Sequence, residues 1–552
     1  MNDDARLFRL LLSVCRIAGV LTVVLTPVGI WRNQTGVPWW DMWDGYVDFY
    51  LRASSGDWSA WWKLHNEHRL LLPDLFFYAD LRWFGGFTWL PLIANLAAAG
   101  GLWWMLALVW KRSRPADLDP DVVHAVVWII GVACLSWTQH DNFTVAFQLA
   151  FFLSCLVPLT AFVCLAGYAD DRTHLWRFIA AALLGTLSSV TLASGVVVPL
   201  LLFAFALFLR LRRWQIAVLG LLAVAVPVLY LSNYVAPPTH DSPLHAWLQT
   251  PWQALWFVCL FLGGALTQLR LGLEFAGVVG AMMIGALCWI GPRGMANARH
   301  APWASVPAVF LGYAVLTAFA TASGRTSMGP LAALAGRYAT VSMLALVTAL
   351  ILVLNHARAP WARRSLLFIA MMGCVANLVV QAQTLDNVDW PNSTLRLGQL
   401  ALSMDVNDAP ALEPLYPDNA HLRGIATRAR ERQLGLFGVW PYRNVRSLIG
   451  QPIEQVAHIA CVAAIDREAD ILLQWTGRAQ AEGLPVTPHV ADLRDLQALP
   501  VLAQRIAQRQ GPVSMLAHVA GVLHLAPLEE TPLSAWQATF DVNVHAPFLL
   551  AQ

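Results

Sequence analysis

Up to about residue 384 this chain is a succession of apolar stretches, each long enough to cross a bilayer and joined to the next by a polar link. Nothing else in it constrains folding as strongly. A hydrocarbon core about 30 Å thick takes about 20 apolar residues of helix. Backbone polar groups in lipid must be satisfied within the segment, which makes these stretches helices. They run roughly over 10–31, 86–110, 122–138, 145–168, 177–193, 195–209, 215–235, 272–291, 303–323, 337–357 and 365–384. The segment Pro251–Gln268 is apolar but broken by Gly263-Gly264, and it leads into Arg270 and Glu274. Reading it as re-entrant gives about eleven crossings, with the N-terminus in the cytoplasm and the residues after 384 in the periplasm; reading it as a span gives about twelve and reverses the C-terminal side. The expected fold is an all-α polytopic membrane bundle followed by a partial α/β Rossmann-like tail. The expected domains are 1–384, a membrane domain with a long outer loop at 32–85; 385–450, a soluble periplasmic segment; and 455–552, an incomplete Rossmann fragment.

Composition agrees with a lipid environment. Hydrophobic residues make up 57% and charged residues 13%, against about 45–50% and about 25% in soluble domains. A net charge of +2 predicts no nucleic-acid partner. Basic residues gather at segment ends (Lys111-Arg112-Ser113-Arg114, Arg210-Leu211-Arg212-Arg213, Arg363-Arg364), as cytoplasmic loops require. Trp103, Trp104, Trp110, Trp128, Trp137 and Trp176 stand near segment ends, as an interfacial belt would. We read no removable signal peptide ahead of the first span. Seven of the eight cysteines lie in apolar segments and none forms a CxxC, so neither a disulfide framework nor a zinc site is indicated.

Three polar regions fall on the outer face under the eleven-span reading: the loop 32–85; the short loops around Gln139–Asn142 and His240–His245; and Ser323–Arg337. The long loop holds Trp39-Trp40-Asp41-Met42-Trp43-Asp44 and His65-Asn66-Glu67-His68-Arg69. Asp41 and Asp44 are three apart, which places both carboxylates on one helix face. Flanking tryptophans would half-bury them, and a desolvated carboxylate has a raised pKa and can act as a base near neutral pH. Such a pair can also hold a divalent metal. The spacing of His65, Glu67 and His68 is not that of a zinc motif, and no resident metal is assigned. Arg325 and Arg337-Tyr338 stand at the outer ends of neighbouring spans, where a guanidinium can fork onto a lipid phosphate or serve as a topology anchor. The stretch Gln139-His140-Asp141-Asn142-Phe143, with Gln148 beyond it, either caps a helix or lines a polar cavity.

This layout resembles the GT-C class of polytopic glycosyltransferases, in which a first span precedes a long outer loop with an essential acidic residue. Asp41 and Asp44 carry that resemblance; over roughly residues 1–445 the chain is also similar to uncharacterised bacterial inner-membrane proteins of the same layout, on Trp40-Asp41-Met42-Trp43-Asp44, Asn142 with Gln148, and Arg337-Tyr338. The resemblance implies glycosyl transfer from a polyprenyl-phosphate sugar to a cell-envelope acceptor in the bacterial inner membrane. Asp41 or Asp44 would deprotonate the acceptor, Arg325 and Arg337 would hold the departing phosphate, and His65, Glu67, His68, Arg69 and Tyr338 would complete the site. A transporter or an assembly factor for surface polysaccharide is the non-catalytic alternative. Oligomeric state is not readable from the sequence.

In the polar region 385–450, an arginine-rich helix over His421–Leu434 would lie on headgroups or present a solvated face. From about 455 the pattern alternates strand and helix: strand Ile459–Ile465 ending at Asp466, a helix, strand Val486–Val490, helix Leu496–Gln510, strand Val513–His518 and helix Pro532–Asn543. That is half of a doubly wound fold. These residues resemble the short-chain dehydrogenase/reductase family, and within it the 2,3-dihydro-2,3-dihydroxybenzoate dehydrogenases. The resemblance implies NAD contacts at Asp466, Asp492, Ala520 and Gly521 and a structural role for Asn543. His518-Val519 replaces the family's paired asparagines. The Gly-rich turn that should precede Asp466 is Arg446-Ser447-Leu448-Ile449-Gly450-Gln451-Pro452, with one glycine, and the catalytic Ser, Tyr and Lys would lie beyond residue 552. NAD would bind only if the tail were completed. We read the tail as a fusion or deletion scar, or a misassigned reading frame, with no working oxidoreductase activity of its own.

Overall fold

A computed structural model describes residues 3–234, 243–269, 271–386, 389–403, 405–438, 462–481, 483, 485–510 and 532–551. The chain divides into two compact units, Met1–Arg446 and Ser447–Gln552.

The first unit is a multi-pass membrane protein. Among the described residues, nine helices are long and apolar enough to cross a bilayer: Leu12–Asn33, Trp89–Ser113, Pro120–Thr144, Ala146–Asp170, Arg213–Leu231, Leu273–Ala296, Pro302–Met328, Gly336–His356 and Pro360–Gln383. Side chains such as Ile17, Val24, Leu221, Val224, Val228, Met282 and Ile369 are exposed on these helices, where lipid replaces the protein partner that a soluble fold would need. The last span returns to the first: Gln381 Nε2 donates to Thr26 Oγ1 at 3.3 Å, and Thr26 donates to the Leu135 carbonyl at 2.7 Å.

Two of the eleven expected spans need correction. The stretches at 177–193 and 195–209 become the helices Leu175–Ser188, of 14 residues, and Val198–Phe208, of 11 residues, with a 3-10 turn at Ala193–Val197. Each is shorter than the roughly 20 residues of a full crossing. Polar residues Ser188, Ser189 and Thr191 end the first helix early, and its turn is tied to the outer loop by Leu72 N–H to the Val190 carbonyl at 3.1 Å. The segment Pro251–Thr267 is a third short apolar helix. Trp247, just before it, donates to Ser323 Oγ at 2.8 Å, and Leu262, near its end, accepts from Ser342 Oγ at 2.6 Å. Both flanks therefore lie near the same ends of Pro302–Arg325 and Ala339–His356, as a re-entrant piece requires.

The outer loop is an ordered layer with its own core. It comprises a π-helical turn Trp43–Asp48, a short helix Phe49–Ser54, a 3-10 turn Trp58–Trp62 and a helix Leu71–Trp83. Asp80, fully buried, accepts from Tyr46 Oη at 2.5 Å, Thr88 N at 2.9 Å and Leu90 N at 3.1 Å. It thereby satisfies otherwise orphaned donors at the start of the span Trp89–Ser113. The helix Asn419–Glu431 docks on this layer rather than on lipid. It buries Leu422, Ile425, Ala426 and Ala429 against Trp43, Tyr46 and Phe77. Its arginines are engaged by protein: Arg428 with Asp48 at 2.7 Å, Arg432 with Ser54 at 2.6 Å and Arg430 with the Leu402 carbonyl at 2.5 Å. The opposite face, with His421, Gly424, Arg428 and Glu431, is exposed, in keeping with the solvated-face reading of that helix.

In the second unit, strands Val462–Asp466 and Val486–Val490 pair in parallel, with Val462 opposite Val486 and Asp466 opposite Val490. Helices cover Ala469–Ala481, Leu499–Gln510, Leu533–Phe540 and Ala546–Ala551. Among the described residues there are two strands, not the three of a doubly wound half; the expected strand Val513–His518 and the residues Ala520 and Gly521 lie outside the described residues.

Candidate functional site

Chain reversal at His65–His68 builds the centre of the site. His65 and His68 exchange both backbone bonds, at 2.8 and 2.9 Å, around Asn66 in the left-handed region. Glu67 at the tip reaches the C-terminal end of the span Pro302–Met328. Arg325 Nη2 donates to Glu67 Oε1 at 2.6 Å, and Arg325 Nη1 donates to Tyr338 Oη. Arg337 stacks on the Tyr338 ring with its guanidinium carbon 5.2 Å from the centroid, and its Nε is buried without a hydrogen-bond partner. Asp41 completes the group: its Oδ1 lies 3.6 Å from His65 Nε2, and its side chain is 50% exposed.

Electrostatics sharpen the roles. Partial burial pushes the Asp41 carboxyl up, but His65 beside it and the Arg337 charge outweigh it and hold the group below the usual carboxylate range. The expected raised pKa is therefore reversed, and Asp41 is ionised at neutral pH. Of the flanking tryptophans, Trp43 is buried in the layer beneath and Trp58 is exposed, so they do not enclose the aspartate. Burial depresses His68 to about 4, with the Arg325 charge also lowering it against the opposing pull of Glu67. A neutral His68 fits its bonds: Nδ1 accepts from Ala193 N at 3.2 Å, leaving Nε2, 3.5 Å from Glu67 Oε1, as the protonated nitrogen.

Close backbone approach shapes two walls. A Cβ on Gly45 would stand 2.5 Å from the Phe147 ring and 3.1 Å from His65 Nδ1, and one on Gly336 would stand 1.9 Å from Asp141 Oδ2. Asn142 Nδ2 bonds the Arg337 carbonyl at 3.2 Å and Thr340 Oγ1 at 2.8 Å, and Thr340 donates to Gln139 Oε1 at 2.7 Å. The Gln139–Asn142 stretch thus fixes the backbone that presents Arg337 and Tyr338, and Gln148 Oε1 is buried without a partner.

The structure brings together Asp41, His65, Glu67, His68, Arg325, Arg337 and Tyr338, and places two other expected residues differently. Asp44 faces the docked segment, where its carboxylate takes Tyr416 Oη at 2.7 Å and His421 Nε2 at 2.6 Å. Arg69 is buried under Trp62 and Tyr230 and spends its donors on the carbonyls of Trp62, Tyr230 and Ser232. It ties the loop to the end of the span Arg213–Leu231. Sequence reasoning did not single out Asp74, Asp80, Tyr46 or His421. Aspartates 74 and 80 carried a signal, since each is a charge in a mostly apolar helix. His421, 377 residues from Asp44, carried none. Among the described residues, no three His, Cys, Asp or Glu side chains converge as a group that could hold a metal ion.

In the second unit Asp466 Oδ1 accepts from the Glu468 N–H of its own turn at 2.9 Å, and Asp492 is clamped by Arg494 at 2.5 Å. Asn543 lies in a π-helical turn, Asp541–His545. The stretch upstream of Asp466 offers the single Gly450 where close approach to a pyrophosphate needs several glycines. Among the described residues, Asp466 and Asp492 are engaged by their own turns.

Taken together, the chain is a multi-pass membrane protein whose C-terminal region is similar to short-chain dehydrogenases. Residues 454–552 match the family model described as short chain dehydrogenase. The 2,3-dihydro-2,3-dihydroxybenzoate dehydrogenase of Bacillus subtilis (strain 168) is 36% identical over 89 residues, 16% of this chain and 33% of that one. The D-threitol dehydrogenase of Mycolicibacterium smegmatis is 34% identical over 93 residues, 17% of this chain and 36% of that one. The chain thus spans about a third of the length of the curated relatives it matches. Among solved structures, ArnT from Cupriavidus metallidurans bound to undecaprenyl phosphate aligns at 14% sequence identity and a TM-score of 0.36, covering 89% of each chain.

Proposed function

We propose that the membrane unit is a glycosyltransferase of the bacterial inner membrane that uses a polyprenyl-phosphate sugar at its outer face. The observation that supports this reading is one juxtaposition. An ionised, half-exposed Asp41 stands beside His65 and is drawn down by the Arg337 charge, and Arg325 is held at the same place by Glu67 and Tyr338. Asp41 takes the proton of an acceptor hydroxyl as its oxygen bonds to the sugar's anomeric carbon. The bond from that carbon to the phosphate breaks, and its electron pair leaves on the phosphate. Arg325 and Arg337 receive that charge at headgroup depth. Asp44, clasped by Tyr416 and His421, anchors the C-terminal segment over the loop.

The test is sugar transfer from a polyprenyl-phosphate donor by membranes carrying Asp41→Asn or Asp44→Asn. Loss of a general base costs about 10²–10⁴-fold. That loss is expected for Asp41→Asn, and full activity in that variant refutes the assignment. A second reading, dinucleotide binding by the tail, is favoured by the family match over 454–552. NAD titration of the full chain separates it, and we expect no saturable binding.

A further inference from the structure

A polar pocket is lined by Asp44, Asp48, Arg52, Lys63, His65 and Asp74, with Phe49 and Leu70 as apolar wall. Most of its charges are already used. Asp44 holds His421 and Tyr416, Asp48 holds Arg428, and Arg52 holds Asp57 at 2.6 Å. Two are not. Asp74 is 6% exposed, and among the described residues its carboxyl has no hydrogen-bond or ion-pair partner. Burial alone drives it well above the usual carboxylate range. Lys63 is exposed and likewise has no ion-pair partner among the described residues.

This balance selects the ligand. An anion would need several free cations, and Lys63 at the rim is the one lysine or arginine in the lining without an ion-pair partner among the described residues; a cation would need an ionised Asp74. A buried neutral carboxyl both donates and accepts, as a hydroxyl-bearing ligand requires, and Phe49 and Leu70 offer apolar contact to C–H groups. We propose that this pocket binds a single neutral sugar ring, with Asp74 hydrogen-bonded to its hydroxyls from within and Lys63 at the rim. Identifying that ring as the acceptor rests on the transferase reading above; the binding does not.

Lysine acylation read by mass spectrometry tests this on the full chain in lipid nanodiscs. Lys63 and Lys111 are the only lysines, and Lys111, at the other end of the span Trp89–Ser113, serves as the internal control. D-glucose, D-galactose, D-mannose and N-acetyl-D-glucosamine are the probes. At least one should slow Lys63 acylation by about tenfold when about nine sites in ten are filled, leaving Lys111 unchanged. Asp74→Leu should raise the half-protecting concentration by about tenfold, the effect of losing one buried hydrogen bond. Asp74→Asn, which keeps a donor and an acceptor, should stay within about threefold. The proposal is overturned if no probe protects Lys63, if Lys111 is protected equally, or if Asp74→Asn loses binding as fully as Asp74→Leu. Should Asp74→Leu fail to fold, the wild-type and Asp74→Asn arms still decide. Protection of Lys63 in a chain that transfers no sugar from any polyprenyl-phosphate donor tried would sink the transferase reading and leave the sugar site standing.

Discussion

Replacing Glu67 by Gln separates a structural from a phosphate-binding role for Arg325, because the two predict effects of opposite sign. The Glu67 carboxylate sits 2.6 Å from Arg325 Nη2 and 3.5 Å from His68 Nε2, and the Glu67 and Arg325 side chains are 17% and 15% exposed. Breaking a buried pair by removing one partner costs about 3–5 kcal/mol. Here Gln still accepts from Arg325, and Tyr338 still accepts its other arm, so the loss should be nearer about 2 kcal/mol, that of one charge-assisted bond. Binding of a lipid phosphate should move the other way. A phosphate on the outer edge of Arg325 would lie about 6 Å from the Glu67 charge, and at an effective dielectric of about 20 their repulsion is about 3 kcal/mol. Water reduces this, but even half of it is about tenfold in affinity. The assay is a thermal unfolding midpoint together with titration of polyprenyl phosphate into nanodisc-held protein. Glu67→Gln should unfold earlier yet bind the phosphate lipid about tenfold more tightly. A variant that unfolds earlier with affinity unchanged or weakened refutes phosphate binding at Arg325 and leaves it a structural clamp.

Tyr46→Phe leaves the buried Asp80 carboxyl with its two backbone donors only and should lower stability by about 2 kcal/mol, read as a lower unfolding midpoint; an unchanged midpoint shows that the 2.5 Å bond contributes nothing net. The depression of His68 from 6.5 to about 4 means that between those values the unfolded chain carries a proton that the folded chain does not. Stability should therefore be full above about pH 6.5 and fall by at most about 3 kcal/mol as the pH drops towards 4. His68→Asn should flatten that slope, and a wild-type profile flat across the window would contradict a neutral His68.

The membrane bundle was legible because each span declares itself through a property of its own residues, apolar length. Where length alone was the guide it failed at 177–193 and 195–209, since the same apolar composition serves a pair of short helices and a full crossing in lipid. Only the bonds from the turn to Leu72 and His68 distinguish the two, and no local pattern encodes them. The chemistry of the site divides the same way. That Asp41 and the His65–Arg69 stretch share one loop is evident from spacing. That Glu67 meets Arg325, 258 residues away, followed only from counting crossings, because an even number of spans between two loops returns the chain to one face. The protonation of Asp41 could not be read at all. Tryptophan neighbours in sequence suggested desolvation and a raised pKa, whereas the folded chain supplies His65 from across the loop and Arg337 from a distant span.

The same reasoning explains why the tail was easy to recognise and yet says least about function. Strand–helix alternation and the aspartates at 466 and 492 are local signals that persist in a fragment. Dinucleotide binding depends on a glycine cradle beside a strand that stands before Asp466 in the fold, and the residues at that place hold only Gly450. In the membrane unit the situation is inverted. Each outer-loop residue is individually unremarked, but a carboxylate at 41, guanidiniums at 325 and 337 and a neutral imidazole at 68 acquire chemical meaning once the bundle sets them side by side. If function follows the groups that can act in concert, it is carried by the unit whose motifs were weakest in isolation. A chain ended after Arg446, at the boundary between the two compact units, should accordingly keep both the Glu67→Gln response in phosphate binding and any sugar transfer. Loss of either on removing Ser447–Gln552 would require the tail to support the membrane unit in a way its residues do not announce.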